Sequence, residues 1–223
     1  MNHEGHLVIV GAGPAGLATA RAYREGGGRG PVTMLTTEPY PPYRRPPLTK
    51  EYLRGEASRE DLPIQSDGWY EENGVELRLL TSVGAIDPEH RVVITGEGEE
   101  LAYDVCVLAT GSEPVRPPVP EGDDPKILTM RTVENSTCLQ KRVGEGGRAV
   151  VVGSGFIGCE AAASLALRGA AVTGWPAMNS RHNGRGSVTR SDNASKVGYR
   201  TSASICASES ESEASNARMA ASL

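Results

Sequence analysis

The sequence contains no C-x-x-C pair. Its four cysteines, Cys106, Cys138, Cys159 and Cys206, lie far apart, with no histidines at metal-ligand intervals, which excludes a redox dithiol motif and a zinc centre. His3, His6, His90 and His182 form no constellation of their own. The start, Met1-Asn-His-Glu-Gly-His6, lacks the positive charge and apolar stretch of a secretory signal, so the cytoplasm is the default expectation. The most apolar region, Ala149 to Val172, is interrupted by Glu160, Arg168 and several glycines, which fits a buried turn and helix and not a membrane span. Positive charge is not in excess either. A net charge of −5 without a basic-aromatic stripe excludes a nucleic-acid binder and leaves small anionic ligands open. The sequons Asn135-Ser-Thr137 and Asn193-Ala-Ser195 have no secretory route to give them meaning.

Glycine, by contrast, is placed with purpose. Gly11-Ala-Gly-Pro-Ala-Gly16 and Gly153-Ser-Gly-Phe-Ile-Gly158 each follow a β-branched run and open an Ala-rich stretch. Leu7 to Val10 and Ala149 to Val152 read as buried parallel strands. Gly11 and Gly153 permit the tight turn, and Gly13 and Gly155, without a Cβ, let the backbone approach a pyrophosphate. Gly16 and Gly158 allow the helix to pack on its strand. The helix N-terminus favours the anion through its free amides and macrodipole. One such turn is weak evidence; two, a domain's length apart, imply a chain that handles two dinucleotides.

The fold class expected is α/β. A helix over Pro14 to Arg24 ends at Gly26-Gly-Gly28, and Val32 to Thr36 supplies the second strand of a βαβ unit. Glu38 is the acid available for the ribose hydroxyls at that strand's end. The prolines of Pro39-Tyr-Pro-Pro-Tyr-Arg-Arg-Pro-Pro-Leu-Thr-Lys50 forbid regular helix until Thr49 caps a short one near Lys50, and the stiff loop positions Arg45 and Lys50. A short helix at Trp69 to Asn73, a strand at Val75 to Leu80, a small meander over Ala85 to Thr95 and a buried strand at Val105 to Ala109 follow. That last strand ends in the turn Ala109-Thr-Gly-Ser-Glu113 at the ligand crevice. A prolyl connection, Pro114 to Pro125, leads to a helix around Thr132 to Val143 before the second unit begins at Ala149.

With both glycine turns, Ala109-Thr-Gly111 and Arg45-Pro-Pro-Leu-Thr-Lys50 in place, the chain resembles the FAD-dependent pyridine nucleotide-disulfide oxidoreductase superfamily, specifically its ferredoxin reductase branch. Members carry an R-P-P-L-[ST]-K loop where the disulfide reductases place their cysteines. The resemblance covers Leu7 to about Thr173. It implies hydride transfer from NAD(P)H to FAD and onward electron transfer to a ferredoxin-like iron-sulfur protein. It also implies that Gly11, Ala12, Gly13, Pro14 and Ala15 hold the FAD pyrophosphate and that Arg45 and Lys50 reach the flavin side. Val83 would meet the adenine end, Ala109, Thr110 and Gly111 would line the crevice, and Arg131 would also serve FAD. Gly153, Gly155, Phe156, Ile157 and Gly158 form the second, nicotinamide-nucleotide turn. Aligned back from Lys50, the usual ribose carboxylate falls on Thr37, with Glu38 one step later. Glu160, by its residues alone a glutamate favoured by a helix N-terminus, would pair with Lys50, these two being the candidate catalytic residues.

The domains expected are 1–112 for FAD, 113–173 for the start of an NAD(P) domain, and 174–223 as a tail. After Thr173 the pattern is lost to serine, alanine, arginine and glycine, with Ser208-Glu-Ser-Glu-Ser-Glu213 as low-complexity sequence. So little apolar surface cannot offset ordering costs of about 1–2 kcal/mol per residue, and disorder is the expectation. A shifted reading frame and a natural flexible tail both account for it. By the family pattern the closing half of the FAD domain would follow the nucleotide domain, so the competing functional reading is a non-catalytic nucleotide-binding fragment.

Overall fold

The computed structural model describes residues 4–116, 124–175 and 200–208. The chain opens with strand β1 (Leu7–Val10), helix α1 (Pro14–Glu25) and strand β2 (Val32–Leu35). The proline loop then makes a 3-10 turn (Pro46–Thr49) and a single helical turn, α2 (Glu51–Arg54). Helix α3 (Asp67–Glu72) and strand β3 (Val75–Arg78) precede a meander of β4 (Val83–Asp87), β5 (Val92–Thr95) and β6 (Glu100–Ala102), followed by β7 (Val105–Leu108). Beyond the prolyl connection come β8 (Ile127–Thr129), α4 (Val133–Arg142), β9 (Arg148–Ser154), α5 (Phe156–Leu167), β10 (Ala171–Trp175) and β11 (Arg200–Ser208).

These elements form two units, one of residues 1–44 and 62–112 and the other of 45–61 and 113–223. In the first, a parallel sheet has the order β3-β2-β1-β7, with Leu7 opposite Val32 on one side and Val105 on the other. Strand alternation sorts the side chains between the sheet's two faces. Leu7 and Ile9 of β1 join Val32 and Met34 of β2 in a cluster with Leu17 and Ala20 of α1 and with Tyr70. Val8, Val10 and Leu35 turn the other way and meet Val93 of the meander. A sheet covered on both faces explains why β1 and β2 are apolar at nearly every position.

In the second unit the order is β10-β9-β11-β8. Strand β10 runs parallel to β9, as β2 does to β1. Strand β11 takes the place that β7 holds in the first sheet but runs antiparallel to both β9 and β8. Ala149 and Val151 of β9 pack with Leu139 of α4, with Val143 just after it, and with Ala161 and Leu165 of α5.

Four expectations change here. Residues 45–61 group with the second unit and not with the FAD domain, because Leu53 is fully buried in the cluster of Leu139, Val143 and Leu165. The proline loop gains a 3-10 turn that was not expected, though no regular helix: Pro46 and Pro47 sit at its first positions, where a fixed φ fits and no donor is needed. Order continues past Thr173, since Gly174 and Trp175 pair with Val151 and Val152. Arg200–Ser208 is a strand, because pairing with the exposed ladders of β9 and β8 requires only backbone groups. Residues 209–213 of the low-complexity run lie outside the described residues. Among the described residues no helix is long and apolar enough to cross a membrane, and no group of His, Cys, Asp and Glu could hold a metal.

Because Leu53 has no exposed surface, Leu53→Ala is expected to cost about 2–5 kcal/mol, read from the urea midpoint.

Candidate functional site

The three glycines of the first turn meet three different surroundings. Gly11 has φ +108°, and a Cβ there would lie 2.2 Å from the Ala109 carbonyl oxygen. A Cβ at Gly16 would lie 2.1 Å from the Gly11 carbonyl oxygen, so the helix can approach its own turn only without a side chain. At Gly13 a Cβ would meet nothing within 4 Å. The outer two glycines are therefore required by packing, and the middle one faces open space where a ligand can reach the backbone.

The second turn repeats this backbone. Gly153 has φ +116°, and Gly155 has φ −82° and ψ 178°, against φ −82° and ψ −173° at Gly13. Helices α1 and α5 start immediately after Gly13 and Gly155, and neither has a side-chain cap. Helix α4 differs: the Thr132 hydroxyl accepts from the Asn135 N–H, and the Asn135 amide oxygen accepts from the Thr132 N–H. Its end is closed by its own sequence, a device that neither α1 nor α5 uses. Gly158 is buried against the sheet; Phe156 and Ile157 are exposed.

Around the first turn, the Ala109 N–H donates to the Val10 carbonyl at 2.8 Å, which sets Ala109 beside Gly11, and Gly111 takes φ +74°. Strand β2 ends at Leu35, one residue earlier than expected, and the Thr36 hydroxyl accepts from the Glu38 N–H. The Glu38 carboxylate accepts from the Tyr43 hydroxyl at 2.6 Å. Val83 opens β4 and packs on the cluster of Val8 and Leu35.

The second unit gathers the remaining candidates. Arg45 donates to the Arg131 carbonyl at 3.1 Å. The buried Ser136 and Ser164 hydroxyls, on α4 and α5, donate to the carbonyls of Leu48 and Thr49 at 2.7 Å each. Thr49 caps no helix: its hydroxyl donates to Glu160 Oε2 at 2.6 Å, and the Lys50 ammonium reaches the same oxygen at 2.7 Å. The expected Lys50–Glu160 ion pair is thus present. Burial raises the proton affinity of Glu160, but the bonds from Lys50 and Thr49, together with the lysine's charge, outweigh it and hold the carboxyl below its ordinary value. Burial and the Glu160 charge push the neighbouring Cys159 thiol up, which disfavours the thiolate.

Sequence reasoning missed Ser136, Ser164 and Tyr43. The first two left a signal: five of residues 39–50 are proline, and a loop so poor in N–H groups needs donors from elsewhere for its buried carbonyls.

Two strand-turn-helix units, each with a helix that lacks a side-chain cap behind a glycine of matching backbone angles, define the class of paired Rossmann-like folds. The chain belongs to the pyridine nucleotide-disulphide oxidoreductase family, which residues 5–197 match. It is 38% identical over 173 residues to a probable ferredoxin reductase, CtmF, of Castellaniella defragrans, covering 77% of this chain and 42% of that one. With a rubredoxin-NAD(+) reductase of Pseudomonas putida it shares 34% identity over 167 residues, covering 75% of this chain and 43% of the relative. The crystal structure of a covalent putidaredoxin reductase-putidaredoxin complex superposes with a TM-score of 0.73 at 35% identity, covering 76% of this chain and 42% of that chain. The chain spans about two fifths of the length of the curated relatives it matches.

Ser164→Ala would strand the buried Thr49 carbonyl and is expected to cost about 1–3 kcal/mol in thermal unfolding. The Glu160 pair carries a pH dependence of defined direction. Its native carboxyl titrates below the ordinary 4.5, so on acidification the unfolded chain takes the proton first. The pair's contribution is complete above about pH 4.5 and is lost as pH falls through the native value. The difference in unfolding midpoint between wild type and Glu160→Gln should therefore be widest near neutrality and close in acid.

Proposed function

We propose that the chain is the nucleotide-binding part of an FAD-dependent NAD(P)H oxidoreductase of the ferredoxin reductase type, with a ferredoxin-like iron-sulfur protein as acceptor. The observation that carries this reading is the repeated turn, two glycine loops of matching backbone angles, each followed by a helix without a side-chain cap. The open space at Gly13 fits a pyrophosphate, since the place a Cβ would take is free. On this reading Gly11 to Ala15 hold the FAD diphosphate through amides and the helix dipole. Glu38 and Val83 serve its adenosine end, and Ala109 to Gly111 line the crevice. Arg45, Lys50 and Arg131 bring positive charge to the flavin side, and Glu160 holds the lysine. Gly153 to Gly158 receive NAD(P)H. Bound FAD supplies the chemistry that accepts a hydride and releases single electrons; the protein supplies orientation and exclusion of water.

A second reading, dinucleotide binding without turnover, follows from the same turns, since they hold a diphosphate without themselves supplying redox chemistry. Purified protein that is yellow and bleaches with NADH under anaerobic conditions supports the first. A yellow protein that NADH leaves unchanged supports the second, and a chain that takes up no FAD overturns both. Gly13→Ala should keep the unfolding free energy within about 0.5 kcal/mol of wild type and weaken FAD about tenfold, roughly 1.4 kcal/mol. Gly16→Ala, by contrast, should lose about 1–3 kcal/mol or more of stability through overpacking.

A further inference from the structure

The Lys50–Glu160 pair has a third member whose situation differs from that of the lysine. Lys50 and Glu160 have side chains 39% and 33% exposed, whereas Thr49 is only 6% exposed. The Thr49 backbone is fixed from two directions, by the 3-10 turn and by the Ser164 hydroxyl on its carbonyl at 2.7 Å. A β-branched side chain on a fixed backbone has few rotamers to choose from, while a lysine has four flexible carbons and a partly hydrated ammonium. Both donors nevertheless converge on one oxygen, Oε2, at 2.6 and 2.7 Å. One bond is therefore made by a rigid, buried hydroxyl and the other by a movable, half-exposed cation.

We propose that Thr49 is the positioning residue of this cluster, the permanent partner that keeps the Glu160 carboxylate fixed and ionised while the Lys50 ammonium is free to leave it for a ligand. Without Thr49, departure of the lysine would leave the partly buried carboxylate without either of the donors it has among the described residues, and the proton affinity of Glu160 would rise. With Thr49 in place, a charge-assisted bond remains and the lysine can return to an unchanged acceptor. Among the described residues the Cys159 thiol also feels Glu160: burial and then the Glu160 charge push it up. The inference rests on reading the pair as part of a dinucleotide site, and the experiment separates the two.

Carboxyl carbon NMR of Glu160 is followed against pH in wild type, Lys50→Met, Lys50→Met/Thr49→Val and Lys50→Met/Thr49→Ser. The Thr49→Val double variant should titrate on the order of one pH unit higher than Lys50→Met alone, and the Thr49→Ser double variant should match Lys50→Met. A merely structural threonine would lower the unfolding midpoint without separating these titrations, so coincident curves overturn the proposal. Should the valine variant fail to fold, the wild type suffices. On addition of NAD(+), the Lys50 Nζ signal should shift while the slowly exchanging Thr49 hydroxyl proton keeps its contact with Glu160. Loss of both together overturns the proposal. A Lys50 signal indifferent to NAD(+) and to FAD overturns the assignment of the pair to a dinucleotide site, and with it the lysine's exchange between partners, whatever the titrations show.

Discussion

The carbonyl groups of Leu48 and Thr49 are buried where their own loop offers few donors, and two seryl hydroxyls from different helices supply them. Much of the second unit's arrangement depends on that requirement. A buried acceptor left without a partner is costly, so Ser136 and Ser164 bind residues 45–61 to α4 and α5, far along the chain from the sheet that precedes them. The apolar counterpart is Leu53, which enters the same core. Tyr52 adds a hydroxyl contact to Thr137 at 2.8 Å, and its carbonyl accepts from the Gln140 side chain. Lys50 therefore leaves a short helical stretch already held on both sides and meets a glutamate from one of the helices that hold it.

The two glycine turns show how one local solution serves twice. In each, a positive φ at the first glycine ends a buried strand, and an extended second glycine begins a helix. The surrounding sheets are less alike. Strand β1 is flanked by parallel neighbours, whereas β9 has one parallel and one antiparallel neighbour. The turn depends on its own strand and helix, so it tolerates this difference.

What was legible in the sequence were the elements whose cause is local. Four-residue β-branched runs at Leu7 and Val32 could be read because both faces of the sheet are covered, and the helices after Gly13 and Gly155 because glycine and proline mark their starts. The ion pair of Lys50 and Glu160 was reachable only through the resemblance, since a span of 110 positions leaves no periodic trace. Thr49 was misread for a related reason. A threonine before a short helix is locally a cap, and only the arrival of Glu160 from α5 gives its hydroxyl a charged acceptor. Strand β11 had no local signal either: its pairing is dictated by the open ladders of β9 and β8, not by the composition of residues 200–208.

The contrast between helix starts has a practical side. The Thr132 hydroxyl holds the Asn135 amide of α4, whereas α1 and α5 begin without a side-chain cap. Their deuterium uptake is thus an internal gauge: slowing in the first turn of α1 or of α5 marks which of the two loops has been filled, with the start of α4 as a constant reference in the same molecule.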